Sequence, residues 1–330
     1  MTMALRNRIA ITGVSGNVAQ GIIKGLRRAP SPYYLVGLDY SETCAGYFLV
    51  DAWERMPPVR SLEYVPRMIK VLRRFEIDLL LLGIDSEISV ISGRCGEIER
   101  EAGCKVVISE QSLIVACTDK LATARLFEQL NLPFLKTLEC PVSVDEVLSF
   151  VELPVIVKPR RGHGSKGLLM IDRPNDLRQC AELQDPSYCV QAYVEGREYT
   201  AGLLFDEQHG LRDYICFERR LVDGTTMDAT VVDLPGVNRF IEDFGARFPG
   251  TGPVNLQFRL DADGIPRVFE INPRFSGTTG LRVACGFNGP LRIAEHFLKG
   301  RPIERAEVEP VRVYRIFSEL VVPQERVDDE

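Results

Sequence analysis

The stretch from Val254 to Gly280 most constrains the fold, because two runs of β-forming residues there flank the dipeptide Asp263-Gly264. That dipeptide favours a tight type I′ turn, so the stretch predicts a β-hairpin. Folded about this turn, the two strands are predicted to pair as follows: Leu260 with Arg267, Gln257 with Glu270, and Asn255 with Asn272.

Side chains alternate across a strand, so the predicted hairpin has an apolar face and a polar face. The apolar face is predicted to carry Val254, Leu256, Phe258, Leu260, Phe269 and Ile271. The polar face is predicted to carry Asn255, Gln257, Arg259, Val268, Glu270 and Asn272. Hard oxygen atoms are the ligands that Mg²⁺ takes, so Gln257, Glu270 and Asn272 are candidate metal ligands. A solvated edge hairpin would show the same alternation.

A guanidinium group suited to phosphate follows this face, because Arg274 comes two residues after Asn272. The motif Gln-x12-Glu-x-Asn-Pro-Arg resembles the metal-binding end of the ATP-grasp enzymes, particularly the large subunit of carbamoyl-phosphate synthetase and biotin carboxylase. In that family the Gln or Glu, the Glu and the Asn hold two Mg²⁺ ions on the ATP phosphates, and the Arg contacts phosphate. The resemblance implies that Gln257, Glu270 and Asn272 bind Mg²⁺ or Mn²⁺ and that Arg274 contacts ATP.

The composition is that of a packed globular protein of two or three domains, with 330 residues of which 45% are hydrophobic and 26% charged. A net charge of −6 argues against a general nucleic-acid binder, and the lack of a run of about 18 apolar residues argues against a membrane span. The N-terminus does not resemble a signal peptide, and the nine cysteines form no CxxC pair. We therefore expect reduced cysteines and a cytoplasmic location.

Residues 1–115 are predicted to form a Rossmann-like unit with a mostly parallel sheet. An apolar strand from Arg8 to Thr12 leads into a turn with Gly13 and Gly16, then a helix and a second strand that ends at Asp39. One interpretation is a dinucleotide site with Asp39 on the ribose. The turn has the spacing GxxGxxA and not GxGxxG. The ATP-grasp resemblance implies instead a domain that contributes to the substrate cleft and holds no dinucleotide.

Residues 116–190 are predicted to form the N-terminal lobe of an ATP-grasp domain. A lysine at the edge of the apolar strand Pro154–Pro159 needs an anionic partner, which a phosphate would supply. That lysine is Lys158, and the glycine-rich run after it would let backbone N–H groups approach anionic oxygens. The resemblance implies that the following residues contact ATP: Lys120, Lys158, Gly162, Gly164, Ser165 and Gly167.

Residues 191–330 are predicted to form the C-terminal lobe with the metal site. The resemblance implies that a chain crossover receives adenine and that an acidic residue holds the ribose, at Gln191, Ala192, Tyr193, Val194 and Glu198. Either Arg219 or Arg220 is predicted to face the site, because alternation lets only one of them do so. Arg282, in the glycine-rich stretch after the hairpin, is the candidate for gripping a substrate carboxylate or the acyl phosphate.

Together these patterns predict an α/β chain in which a Rossmann-like, pre-ATP-grasp domain precedes a two-lobed α+β ATP-grasp domain. The resemblance implies an ATP-dependent carboxylate–amine ligase that forms an acyl phosphate, with Lys158, Arg274 and Arg282 as catalytic residues. The sequence FSGTTGLR after Pro273 and Arg274 differs from that of both named enzymes, so neither bicarbonate nor biotin is implied as a substrate.

The expected partners are a small carboxylate, such as an amino acid or peptide, and an amine, with no nucleic acid and no membrane, in a homodimer. Two alternatives stay open. One is an NAD(P)-dependent oxidoreductase that uses the turn between Gly13 and Asp39. The other is a non-catalytic ATP-binding regulator.

Overall fold

Three β-sheets organise the part of the chain that the computed structural model describes, which comprises residues 7–162, 167–316 and 318–323. In chain order the sheets have five, four and six strands. The first is parallel and the other two are antiparallel. This architecture confirms the predicted fold class, in which a Rossmann-like domain precedes a two-lobed α+β domain.

The parallel sheet forms the N-terminal domain. Its strands are β1 (Arg8–Thr12), β2 (Tyr34–Asp39), β3 (Ala52–Arg55), β4 (Leu79–Leu81) and β5 (Lys105–Val106), in the spatial order β3-β2-β1-β4-β5. Its helices are α1 (Asn17–Leu26), α2 (Tyr64–Arg74), α3 (Asp85–Ser92) and α4 (Cys95–Ala102), with a 3₁₀ helix at Ala45–Leu49. Ile9 and Ile11 pack in one apolar cluster and Ala10 in another, so both faces of β1 are covered, as is usual for a parallel sheet.

The four-stranded sheet forms a small lobe that follows. Two helices lead into it and two flank it: α5 (Gln111–Thr118), α6 (Lys120–Gln129), α7 (Val144–Phe150) and α8 (Pro174–Gln179), with a 3₁₀ helix at Ala181–Gln184. Its strands are β6 (Thr137–Glu139), β7 (Val155–Pro159), β8 (Leu169–Ile171) and β9 (Tyr188–Ala192), in the order β6-β9-β7-β8. The Asp119 carboxylate accepts the Leu121 N–H at 3.0 Å and caps α6, which places Lys120 in the first turn of that helix.

The six-stranded sheet forms the second lobe. Its strands are β10 (Glu198–Phe205), β11 (Leu211–Val222), β12 (Thr225–Val231), β13 (Gly252–Leu260), β14 (Pro266–Asn272) and β15 (Arg312–Tyr314), in the order β14-β13-β10-β11-β12-β15. Its helices are α9 (Pro235–Arg247), α10 (Thr279–Ala284) and α11 (Gly289–Lys299). Helices α10 and α11 pack on α1, where the Asn288 side chain donates to the Gly25 carbonyl at 2.9 Å. This contact joins the second lobe to the N-terminal domain.

The hairpin of β13 and β14 has the predicted pairs Asn255–Asn272 and Gln257–Glu270, but Leu260 pairs with Pro266 and not with Arg267. The cause is a β-bulge, in which Phe269 is an extra residue between the partners of Gln257 and Phe258. A bulge reverses the faces of the residues beyond it. The predicted placement of two side chains is therefore wrong, because Val268 is 4% exposed in the core and Phe269 faces a cavity.

The hairpin turn also differs from the prediction. The Gly264 N–H donates to the Asp261 carbonyl at 2.9 Å, and Gly264 has a φ of 76°. The Asp261 carboxylate accepts the N–H groups of Asp263 and Ile265. A three-residue loop with a left-handed glycine therefore connects the strands, in place of the two-residue type I′ turn.

The predicted domain limits at residues 115 and 190 fall within α5 and β9. The three-part division of the chain stays a prediction. None of the helices in the described residues has the length and apolar character needed to cross a membrane.

Candidate functional site

A cavity of about 540 Å³ lies where the two antiparallel sheets and the N-terminal domain meet. Most of the predicted site residues line it: Lys158, Gln191, Ala192, Tyr193, Val194, Glu198, Gln257, Glu270 and Arg274. The N-terminal domain adds Asn17, Val18 and Asp85 to the wall. Five more predicted residues do not line the cavity: Lys120, Gly162, Gly167, Asn272 and Arg282. Gly164 and Ser165 lie outside the described residues.

Lys158 is a buried cation with a neutral partner. It lies near the end of β7, and its Nζ donates to Oε1 of Gln191 at 2.6 Å, while Nε2 of Gln191 donates to Thr137 Oγ1 at 3.0 Å. The Nζ is also 6.0 Å from the ring centroid of Phe269. Burial lowers the pKa of Lys158 from 10.5 to about 8. Since no ion pair of Lys158 occurs within residues 7–162, 167–316 and 318–323, its charge is available to an anion in the cavity.

Lys120 lies at the edge of the glycine-rich segment and not at the cavity wall. Its Nζ donates to the Gly162 carbonyl at 3.0 Å. Gly162 and Gly167 both have left-handed φ values, 135° and 70°, which a side chain would strain. These two glycines flank residues 163–166, where Gly164 and Ser165 belong. The roles predicted for this segment in contacting ATP stay predictions.

The candidate metal ligands lie side by side at the hairpin. Gln257 and Glu270 are cross-strand partners, and Nδ2 of Asn272 donates to Oε1 of Glu270 at 3.0 Å. Oδ1 of Asn272 accepts from Arg274 at 3.3 Å, so its amide would have to turn before that oxygen could share an ion with Glu270. One carboxylate with two amide oxygens fits Mg²⁺, which takes few protein ligands and fills its shell with water and phosphate oxygens.

Arg219 is the arginine that faces the cavity, which settles the choice that the sequence left open. Its guanidinium donates to Oε1 of Glu198 at 2.5 Å and to Oε1 of Gln257 at 2.7 Å. Arg220 points away from the cavity and pairs with Asp228 at 2.6 Å. Arg219 therefore links the candidate ribose-binding carboxylate to the candidate metal face.

Arg274 forms a two-point ion pair with a residue that the sequence did not indicate. Its Nε and Nη2 lie 2.5 and 2.6 Å from the two carboxylate oxygens of Asp85, at the first position of α3. The pair joins the end of β14 to the N-terminal domain. Asp85 follows an apolar strand of the parallel sheet, and such sheets bind ligands at the carboxyl ends of their strands. This position is the feature of the sequence that could have identified it.

Arg282 lies behind the cavity wall, contrary to the prediction that it grips substrate. It is 5% exposed and donates to Asn255 Oδ1 at 2.8 Å, Thr200 Oγ1 at 3.2 Å and Ser276 Oγ at 3.1 Å. Burial lowers its pKa to about 9. The glycine at 202 leaves room for the guanidinium, since a Cβ there would lie 2.3 Å from it. Arg282 thus ties α10 to the underside of β10 and β13.

The glycine turn of the N-terminal domain uses its acidic residue internally. Asp39 is 2% exposed, and its carboxylate accepts the backbone N–H groups of Ser15 at 2.8 Å and Ser41 at 3.0 Å. At this exposure the carboxylate is closed to a ribose from outside. This geometry argues against the dinucleotide interpretation of the turn between Gly13 and Asp39.

Comparison with known proteins gives one consistent result. A family model described as ATP-grasp in the biosynthetic pathway with Ter operon matches residues 184–319. The carbamoyl-phosphate synthase of Methanobrevibacter smithii is 22% identical over 139 residues, 42% of this chain and 38% of its own length. The D-alanine–D-alanine ligase of Halorhodospira halophila is 36% identical over 96 residues, 27% of this chain and 30% of its own. The chain thus spans less than two fifths of these relatives.

Among solved structures, the N5-carboxyaminoimidazole synthetase of Staphylococcus aureus complexed with ADP superimposes with a TM-score of 0.73 at 16% identity. The match covers 92% of this chain and 81% of that one. At this identity the likeness establishes the fold, and it extends over both the N-terminal domain and the two lobes around the cavity.

Proposed function

Because the chain belongs to the ATP-grasp superfamily, we propose that it is an ATP-dependent ligase. It would activate a small carboxylate as an acyl phosphate and join it to an amine, with release of ADP and phosphate. The observation that carries this proposal is that one cavity brings together the buried cation of Lys158 and the oxygen ligands of Gln257 and Glu270. Phosphoryl transfer requires positive charge around the polyphosphate. Lys158 would supply it on one side, and metal ions held by Gln257 and Glu270 would supply it on the other.

In this proposal the nucleotide lies between the two lobes. Lys158 would bind its phosphates, the backbone of Ala192 to Val194 would meet the edge of the adenine, and Glu198 would accept the ribose hydroxyls. Phe269 and Met170 line the same cavity and offer apolar surface to the base. Gly162 and Gly167 would let backbone N–H groups approach the phosphates closely.

The donor set of Gln257, Glu270 and Asn272 would hold Mg²⁺, or Mn²⁺ in its place. When bound, such an ion draws charge from the ATP phosphates during in-line attack by the substrate carboxylate. Lys158 and Arg274 would stabilise the charge that develops on the transferred group. No covalent enzyme nucleophile is needed, since the amine itself attacks the acyl phosphate. A cytoplasmic location and a homodimer are part of the proposal.

The test is thermal unfolding with MgATP, with ATP plus a chelator, and with NADPH, for wild type and Glu270→Ala. A ligand at about 100 times its dissociation constant adds ~2.7 kcal/mol to the free energy of unfolding, enough to raise the midpoint measurably. We expect a shift with MgATP that shrinks with the chelator and in the variant. A shift with NADPH and none with MgATP would refute the ligase proposal. Release of ADP on addition of carboxylate and amine separates a ligase from a non-catalytic ATP-binding regulator.

A further inference from the structure

The N-terminal domain opens onto the cavity at one defined point of its sheet. Strand β1 lies between β2 and β4, so the chain order reverses direction there. The segments after β1 and β4 supply Asn17, Val18 and Asp85 to the cavity wall. A crevice outside the carboxyl ends of parallel strands, at such a reversal, is where open α/β sheets bind ligands. The cavity thus has a second polar end away from the four-stranded sheet.

Asp85 is the carboxylate of that end, and its position is fixed from two sides. Arg274 holds both of its oxygens, as described above. The backbone before it is fixed by Glu87, which accepts the Ile84 N–H at 3.2 Å and the Thr12 hydroxyl. That hydroxyl in turn accepts the Gly83 N–H at 2.9 Å. Since each carboxylate oxygen has two acceptor positions, one stays open on each oxygen of Asp85.

Three carboxylates line the cavity within the described residues: Asp85, Glu198 and Glu270. Glu198 is held by Arg219 and Arg259. Glu270 belongs to the candidate metal face. Within the described residues the Asp85 side chain has a single ion-pair partner, Arg274, and it is 34% exposed. It is therefore the carboxylate that can receive a further cation.

We propose that Asp85 binds the protonated amino group of the amine substrate, which makes a primary ammonium compound the second substrate class. The inference rests on the proposed function. Nη2 of Arg274 contacts both Asp85 and Asn272. An ammonium bound to Asp85 would therefore be separated from the candidate metal face by the Arg274 guanidinium alone. After one proton passes to water, the neutral amine still donates to the same carboxylate, and its lone pair is free to attack.

The experiment compares two probes that differ in one charged group. Glycinamide carries an ammonium and no carboxylate, and acetamide lacks the amino group. Each is titrated by ligand-observed NMR against the full chain, with and without MgADP, for wild type and Asp85→Asn. Charge-assisted hydrogen bonds are worth about 1.5–3 kcal/mol, so the variant should bind glycinamide roughly 10- to 100-fold more weakly. Acetamide should bind neither protein measurably.

The matched control is Asp261→Asn, which also removes one negative charge from an Asp–Arg pair. Asp261 pairs with Arg267 at 2.8 Å and does not itself line the cavity. Because Asp261 does not line the cavity, the affinity of Asp261→Asn for glycinamide should stay within about twofold of that of wild type. Equal glycinamide binding by wild type and Asp85→Asn, or no preference of wild type for glycinamide over acetamide, would overturn the proposal. An MgADP-induced rise in the midpoint of Asp85→Asn shows that the variant is folded. Failure of the ligase proposal would be recognised separately, because MgADP would then not raise the unfolding midpoint of wild type.

Discussion

Lys158 and Gln191 form a buried hydrogen bond of 2.6 Å between a charged donor and a neutral acceptor. Most buried lysines have a carboxylate partner, because a charge in a low-dielectric interior is costly without one. Gln191 satisfies a single N–H of the ammonium, and within the described part of the chain no carboxylate forms an ion pair with Lys158. An anion that enters the cavity would therefore gain more from Lys158 than from a lysine that is already paired.

Replacement of Lys158 by glutamine should weaken MgATP binding about 10- to 100-fold, because a charged hydrogen bond to phosphate is lost. Isothermal titration of the nucleotide measures the change. Lys136→Gln is the control, since Lys136 is exposed on the same lobe and its Nζ donates to the Phe150 carbonyl. Equal MgATP affinity in wild type and Lys158→Gln would contradict the phosphate role.

The same lysine should make stability depend on pH above neutrality. Burial lowers the pKa of Lys158 to about 8, whereas in the unfolded chain it is about 10.4. Between these values the unfolded state binds a proton that the folded state has lost, so the free energy of unfolding rises with pH. Relative to Lys158→Gln, wild type should therefore gain stability from pH 8 to 10 in urea unfolding. A difference that stays constant over this range would show that the ammonium keeps its proton.

Glu87 should give the opposite pH dependence in the acidic range. It is fully buried, and burial raises its pKa to about 7 despite hydrogen bonds from Thr12, Tyr64 and Ile84. Between about 4.5 and 7 the folded state holds a proton that the unfolded state has lost, so the free energy of unfolding falls as pH rises. Wild type should lose stability relative to Glu87→Gln between pH 5 and 7, by about 1.4 kcal/mol per unit of pKa difference.

The control for Glu87 is Glu146→Gln. Hydrogen bonds from Ser143 lower the pKa of Glu146, the opposite direction to the shift of Glu87. The difference in the free energy of unfolding between wild type and this variant should be flat from pH 5 to 7, as urea titrations at several pH values would show. A flat profile for Glu87→Gln as well would mean that its carboxyl is already ionised at pH 5.

Local patterns in the sequence sufficed for the parts of the site that lie within one element. The buried lysine at 158 followed from one charge in an apolar strand. The pairing of Gln257 with Glu270 agrees with the prediction because the bulge at Phe269 offsets the one-residue shift that the three-residue turn introduces. Contacts between distant elements had no such pattern. Asp85 and Arg274 are 189 residues apart, so nothing local links them. In the sequence, Arg282 resembles a site residue because it lies in the glycine-rich stretch after the hairpin. Its burial beneath the sheet depends on tertiary packing, which the linear pattern does not encode.

The β-bulge was missed because one extra residue leaves the β-forming character of β14 unchanged. Its effect can be tested with neighbouring substitutions. Val268→Ala should lower the free energy of unfolding by roughly 1–3 kcal/mol, because it removes buried methyl groups from the core, and should leave nucleotide affinity unchanged. Phe269→Ala should have the opposite profile, with MgATP binding roughly tenfold weaker and little loss of stability, because Phe269 lines the cavity. Urea unfolding and isothermal titration on both variants measure the two quantities. If Phe269→Ala were the destabilising change and Val268→Ala the one that weakens binding, the strand would lack the bulge and follow strict alternation.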